Sequence, residues 1–177
     1  MTREEFEHVI RAAATIVDDE LVVVGSQAIL ARFPDAPAEL RTSDELDLYP
    51  RSDPDRATDI DRLIGAGSLF EETFGYRAHG VAPETSALPE SWEQRVVRVT
   101  VDRPDGGIAV AYAPDPHDLV IAKLSAGRQK DYDFAVGALR AGLIDADELE
   151  RRCDAVGVHL RDVVRQRVAG VKVRAGR

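Results

Sequence analysis

The chain has 177 residues, 44% of them hydrophobic, with a formal charge of −9, and a chain of this length buries roughly 70% of its unfolded surface. A single cysteine, Cys153, excludes an internal disulfide and fits a reducing compartment. No apolar run approaches the ~20 residues of a membrane span, and the charged start MTREEFEHVI is unlike a signal peptide, so a cytoplasmic protein with no membrane partner is expected.

Residues 2–17 read as a helix: Thr2 and Glu5 have capping-box spacing, and Phe6, Val9, Ile10, Ala13 and Val17 share one face. Residues 21–24 (LVVV) are continuously apolar and end at Gly25, the pattern of a strand covered on both faces. Ser26 opens a short helix over 26–33, closed by Pro34 and Pro37, and residues 46–49 form a second strand stopped by Pro50. Helices follow over 55–64 and 68–74, separated by Gly65-Ala66-Gly67, and a short strand over 76–81. A hairpin comes next, from 96–101 (VVRVTV) to 108–112 (IAVAY) around a turn-like DRPDGG. Beyond Pro116 the pattern is helical, over 117–127, 131–141, 145–155 and 160–168. The fold class is therefore α/β, with residues 1–115 as an α/β core carrying an N-terminal helix and 116–177 as a C-terminal helical region packed on it.

Charge is unevenly spread. Residues 151–177 hold eight Arg or Lys against two Asp, so the rest of the chain is strongly acidic. An acidic body opposes broad electrostatic binding of nucleic acid, although the basic tail could dock a polyanion locally. Simple solvation of a basic helix that offsets the acidic body is the favoured reading of that tail.

Three features carry the chemistry. Gly25-Ser26, between strand and helix, lets backbone approach a phosphate closely, with the helix-start N–H groups and the hydroxyl facing the anion; the same pair is also an ordinary helix cap. In Ser43-Asp44-Glu45-Leu46-Asp47-Leu48, residues two apart on a strand share a face. Glu45 and Asp47 then project together while Leu46 and Leu48 enter the core. Two carboxylates on one open face suit a hard cation such as Mg²⁺, or form a solvated acidic edge. Lys123 lies inside the apolar stretch LVIAKL, where it either snorkels to the surface or reaches an anion.

Taken in order, VVGSQAIL followed about twenty residues later by S-x-E-L-D-L resembles the nucleotidyltransferase superfamily related to DNA polymerase β. The helix DLVIAKL and the R-x-K-D after it resemble the C-terminal part of the nucleotidyltransferase-like toxins of type IV toxin–antitoxin pairs, the abortive-infection AbiEii group. The run GSQAIL…FPDAPAEL…ELDLYP is similar to a bacterial branch of this superfamily. The resemblance covers about residues 21–143. It implies a nucleotidyltransferase-like mixed sheet flanked by helices. It also implies transfer of a nucleotidyl group from an NTP to a hydroxyl of RNA (the tRNA 3′ end among the acceptors) or of protein, with a cognate antitoxin as partner. Gly25 and Ser26 would hold the phosphates, joined by Ser43 and Arg41, and Glu45 and Asp47 would hold one or two Mg²⁺ (or Mn²⁺) ions. Lys123 would contact a phosphate oxygen. Asp131 matches the later carboxylate, with Arg128 pairing it or phosphate.

Two positions depart from the superfamily pattern. Glu45 stands where the first carboxylate is usually Asp, placing its oxygens about 1 Å further out, which bears on the strict octahedron of Mg²⁺. The third carboxylate, normally on a later core strand, has only Asp102 as a candidate at a strand end, in a turn-like sequence. These departures favour a second reading, a module of the same fold that binds nucleotide or a protein partner without turnover. The four histidines, His8, His79, His117 and His159, show no metal-ligand spacing. Trp92 is expected to anchor packing over the hairpin.

Overall fold

The computed structural model describes residues 1–176. Helix α1 (Arg3–Val17) begins with the expected capping box between Thr2 and Glu5, and buries Phe6, Val9, Ile10, Ala13, Ala14 and Val17. Strand β1 (Leu21–Val24) is buried at all four positions. A 3₁₀ turn (Ser26–Ala28) and the four-residue α2 (Ile29–Arg32) follow. Then come β2 (Glu45–Pro50), α3 (Ala57–Ile64), α4 (Leu69–Phe74), β3 (Arg77–Gly80), β4 (Val97–Asp102) and β5 (Ile108–Ala113). Helices α5 (Pro116–Ala126), α6 (Gln129–Arg140), α7 (Ala146–Arg152) and α8 (Val158–Ala175) complete the described chain.

The strands form one mixed sheet in the order β3-β2-β1-β5-β4. β1 is central: β2 runs antiparallel to it with Val24 opposite Asp47, and β5 runs parallel on its other side. β3 lies parallel to β2, with Glu45 opposite Arg77 and Asp47 opposite His79. β4 returns antiparallel to β5, with Val97 opposite Ala113 and Asp102 opposite Ile108. This is the mixed α/β architecture, with helical C-terminal part, that the sequence leads one to expect.

The period-two alternation of each strand divides the sheet into two faces. Leu21, Val23, Leu46, Leu48, Ala78, Val99, Val101, Ala109 and Ala111 face the helices in one core that also takes in Leu119, Leu124, Val164, Val168 and Val171. The opposite face carries a smaller cluster of Val22, Val24, Tyr49, Ala57 and Val81, over which Leu88 and Trp92 pack. Trp92 is thus a packing anchor, seated on the centre of the sheet rather than over the hairpin.

Several helix boundaries differ from the periodic reading, and those of α6 and α8 have a clear physical cause. α6 begins at Gln129 because Asp131 is its third residue rather than its start, accepting the backbone N–H of Arg128 at 3.1 Å. α8 continues past Val168 to Ala175, since Val164, Val168 and Val171 are fully buried. That burial outweighs the ~1 kcal/mol a mid-helix Gly170 costs.

A charged cluster fastens the start of α5. Asp118, fully buried, accepts Arg95 Nε at 2.8 Å and Nη2 at 3.2 Å. Arg152 Nη1 lies 2.8 Å from the same carboxylate as an ion pair without hydrogen-bond alignment, and its guanidinium also meets Glu148. Asp115, the cap of α5, accepts the backbone N–H and Nδ1 of His117, whose Nε2 in turn accepts the Asp145 N–H at 2.9 Å. His117 therefore ties α5 to the start of α7. Arg152→Met should lower stability by about 2 kcal/mol, because the buried Asp118 carboxylate loses one of its two cations. Urea unfolding measures this, and an unchanged midpoint would show that Arg95 alone suffices.

Candidate functional site

The register of β1 and β2 sets the site. Gly25 follows the last residue of β1 with φ 69° and ψ −171°, a conformation that L side chains rarely adopt. A Cβ built on it would lie 2.0 Å from Oδ2 of Asp47. Only glycine lets the Asp47 carboxylate rest against this turn. Ser26 then begins the 3₁₀ turn. Three residues of 3₁₀ followed by four of α-helix form few aligned peptide dipoles, so the expected helix-start contribution is small and the hydroxyl is the group that matters.

Glu45 and Asp47 project to one face of β2 while Leu46 and Leu48 are fully buried on the other. Neither carboxylate is bare. Arg77, directly opposite Glu45, donates to its Oε2 at 2.6 Å and to Glu71 Oε1 at 2.7 Å. His79, directly opposite Asp47, places Nδ1 2.8 Å from Asp47 Oδ1. Burial raises the Asp47 pKa, with the Glu45 charge adding to the effect and the His79 bond opposing it.

Lys123 reaches the same place from α5. Its side chain is only 8% exposed, and Nζ donates to Ser26 Oγ at 2.8 Å. The ammonium lies 3.6 Å from Asp131 and 4.6 Å from the centroid of the Phe134 ring. It does not snorkel. Burial lowers its pKa, while the Asp131 carboxylate works the other way. Asp131 is fully buried and also takes Nε and Nη2 of Arg128. Burial pushes its own pKa up, yet Arg128 and Lys123 outweigh that and hold it below the usual carboxylate range.

Gly25, Ser26, Ser43, Glu45, Asp47, Lys123 and Arg128 line one cavity of about 540 Å³, whose wall also includes His79, Thr42 and Lys130. That is the volume range of small-molecule sites. Ser43 serves locally by accepting the Glu45 N–H at 3.2 Å. Asp131 stands behind Lys123, outside the cavity wall. Arg41 also lies outside it: one nitrogen donates to the Met1 carbonyl at 3.4 Å, and its own carbonyl accepts the terminal ammonium at 2.7 Å. This placement gives Arg41 no contact with the cavity.

Asp102, the one strand-end candidate for a third carboxylate, lies away from the site, as its turn-like sequence suggests. Asp102 ends β4 opposite Ile108, whereas the site lies at the other end of the sheet, beside Ala113. Five strand residues separate the two ends, roughly 17 Å. The later strand that does flank Glu45 and Asp47 is β3, and there the residue beside Asp47 is His79. Glu45, Asp47 and His79 each offer a ligand atom within 4.8 Å of one another. Sequence spacing could not reveal His79, because its partners lie across a strand pair rather than along one element. Two carboxylates and an imidazole are a fitting donor set for a divalent cation, and the glycine-made recess behind Asp47 leaves that carboxylate room at the cavity wall.

A mixed sheet with a Gly-Ser turn after its central strand, and an E-x-D pair on the neighbouring antiparallel strand, defines a nucleotidyltransferase-like protein. A family model described as nucleotidyltransferase of unknown function (DUF6036) matches residues 4–170, and the chain belongs to that family. No curated protein and no solved structure matches it. Among the described residues, no helix is long and apolar enough to cross a membrane.

Two outcomes follow from this geometry. Gly25→Ala should destabilise the protein by about 2 kcal/mol through the left-handed backbone and the clash with Asp47, read as a lower unfolding midpoint; an unchanged midpoint would contradict the close approach. Asp131, with its depressed pKa, contributes stability that is present above its unfolded value near ~4 and lost as pH falls through the folded one. Asp131→Asn should therefore be less stable than wild type at pH 7, with the gap closing below about pH 4. A gap independent of pH would contradict the ion pairing.

Proposed function

We propose that the protein transfers a nucleotidyl group from an NTP to a hydroxyl acceptor, with one or two divalent ions, Mg²⁺ or Mn²⁺, at Glu45 and Asp47. The observation that carries this reading is the convergence of Ser26, Asp47 and Lys123 on one cavity from three separate elements. A buried ammonium, a hydroxyl and a carboxylate pair together answer the needs of a triphosphate and its cation. Family membership supports the same class of reaction.

The roles follow from the hydrogen bonds. Lys123 donates to Ser26 Oγ, which leaves the Ser26 hydroxyl proton free to donate to a phosphate oxygen. The remaining ammonium protons of Lys123 supply positive charge where negative charge develops in transfer, in a site partly shielded from water. Asp131 positions that ammonium and keeps it paired in the absence of substrate. Arg128 and Lys130, on the cavity wall, offer further cationic contacts to a phosphate. A bound divalent ion would polarise the phosphoryl oxygens and activate the acceptor hydroxyl.

For the acceptor, the likeness to the AbiEii-type toxins favours RNA, the tRNA 3′ end among its hydroxyls, over protein, and makes a cognate antitoxin the natural partner. This finer reading rests on the R-x-K-D and DLVIAKL motifs. The competing reading, binding without turnover, is favoured by one specific observation: Arg77 and His79 already occupy both carboxylates.

The purified protein incubated with each labelled NTP, total RNA and Mg²⁺ or Mn²⁺ should transfer label. Asp47→Asn should abolish transfer, and Lys123→Met should reduce it by roughly 10²-fold while the fold is kept, since Asp131 retains Arg128. Nucleotide binding with no transfer under any of these conditions would overturn the enzymatic reading in favour of the binding module.

A further inference from the structure

We infer that Glu45, Asp47 and His79 form a single-ion centre in which the imidazole is a direct ligand, so that the site selects Mn²⁺ over Mg²⁺. The inference deepens the proposed function, resting on its assignment of this cluster as the divalent-ion site.

Free donor atoms set the stoichiometry. One oxygen of Glu45 is held by Arg77 at 2.6 Å. Glu45, Asp47 and His79 each offer one ligand atom, and these atoms lie within 4.8 Å of one another. One such set of three serves one ion, completed by water or phosphate. The Arg77 guanidinium, bonded to Glu45, supplies positive charge beside the pair and so disfavours a second cation there.

Distance supports direct ligation by the ring. His79 Nδ1 and Asp47 Oδ1 are 2.8 Å apart. Neighbouring ligands of an octahedral ion at roughly 2.1 Å are about 3 Å apart, so an ion bridges these two atoms with little movement of either side chain. A ring that binds the ion through Nδ1 carries its proton on Nε2, so the contact with Asp47 gives way to the shared ion. With half its side chain exposed, the ring is accessible to the ion.

Ligand chemistry then sets the preference. Carboxylates and water suit Mg²⁺ and Mn²⁺ alike, whereas imidazole adds affinity for transition ions and little for Mg²⁺. The longer Glu45 and the nitrogen donor both relax the strict all-oxygen octahedron that Mg²⁺ requires.

The test uses the full chain without nucleotide. Mn²⁺ titration followed by electron paramagnetic resonance should count one bound ion per chain, and electron spin-echo measurements should show ¹⁴N modulation from a coordinated imidazole. Mg²⁺ should displace Mn²⁺ only at about tenfold or greater excess. His79→Asp, at an exposed position, should bind one ion without the nitrogen signal and shift the preference about tenfold towards Mg²⁺. Bound Mn²⁺ lacking nitrogen modulation, a second equivalent ion, or no bound ion would each overturn the inference. Transfer sustained by Mg²⁺ with no nitrogen coupling would overturn it while leaving the proposed reaction standing.

Discussion

The site depends on one close approach, Asp47 against Gly25. β1 and β2 pair so that Val24 faces Asp47, and the chain leaves β1 through a left-handed glycine with no side chain to fill the space. The carboxylate then sits beside Ser26 instead of being pushed outward. Burial raises its pKa there, a cost that persists only where a neighbouring group or ion offsets it. His79 offsets it without an ion, and the same atoms can do so with one.

The second constraint comes from the C-terminal helices. An ammonium buried on α5 is expensive unless paired, and Lys123 has Ser26 on one side and Asp131 on the other. Asp131 is fixed in turn by Arg128 at the start of α6. The chain of contacts runs from α6 through α5 to the turn after β1. Because the helical core is continuous with the sheet's buried face, α5 holds its place and the cation reaches the cavity that the strands build.

Much of this is legible in the sequence. The buried strand LVVV, the alternation in Glu45-Leu46-Asp47-Leu48 and the capping box of α1 are local patterns, and local patterns survive folding. Lys123 could be singled out because a lysine inside LVIAKL violates its surroundings. What is not legible is pairing across strands. His79 sits in a short, weakly patterned strand, and only the β2–β3 register puts it beside Asp47. Arg77 reaches Glu45 by the same register. Asp102 misleads for the complementary reason: a carboxylate at a strand end looks the same in sequence whichever end of the sheet it occupies. Arg41 lies two residues before Ser43, yet its guanidinium turns towards Met1.

In the proposed reaction one cavity gathers a triphosphate between Ser26 and Lys123 on one side and the Glu45–Asp47 pair on the other. A structure of the protein with a non-hydrolysable NTP and Mn²⁺ tests this most directly. It should show phosphate oxygens contacting Ser26 Oγ and Lys123 Nζ, with an ion between them and Asp47. A nucleotide bound elsewhere on the chain, or bound here with Lys123 still turned only to Ser26 and Asp131, would contradict it.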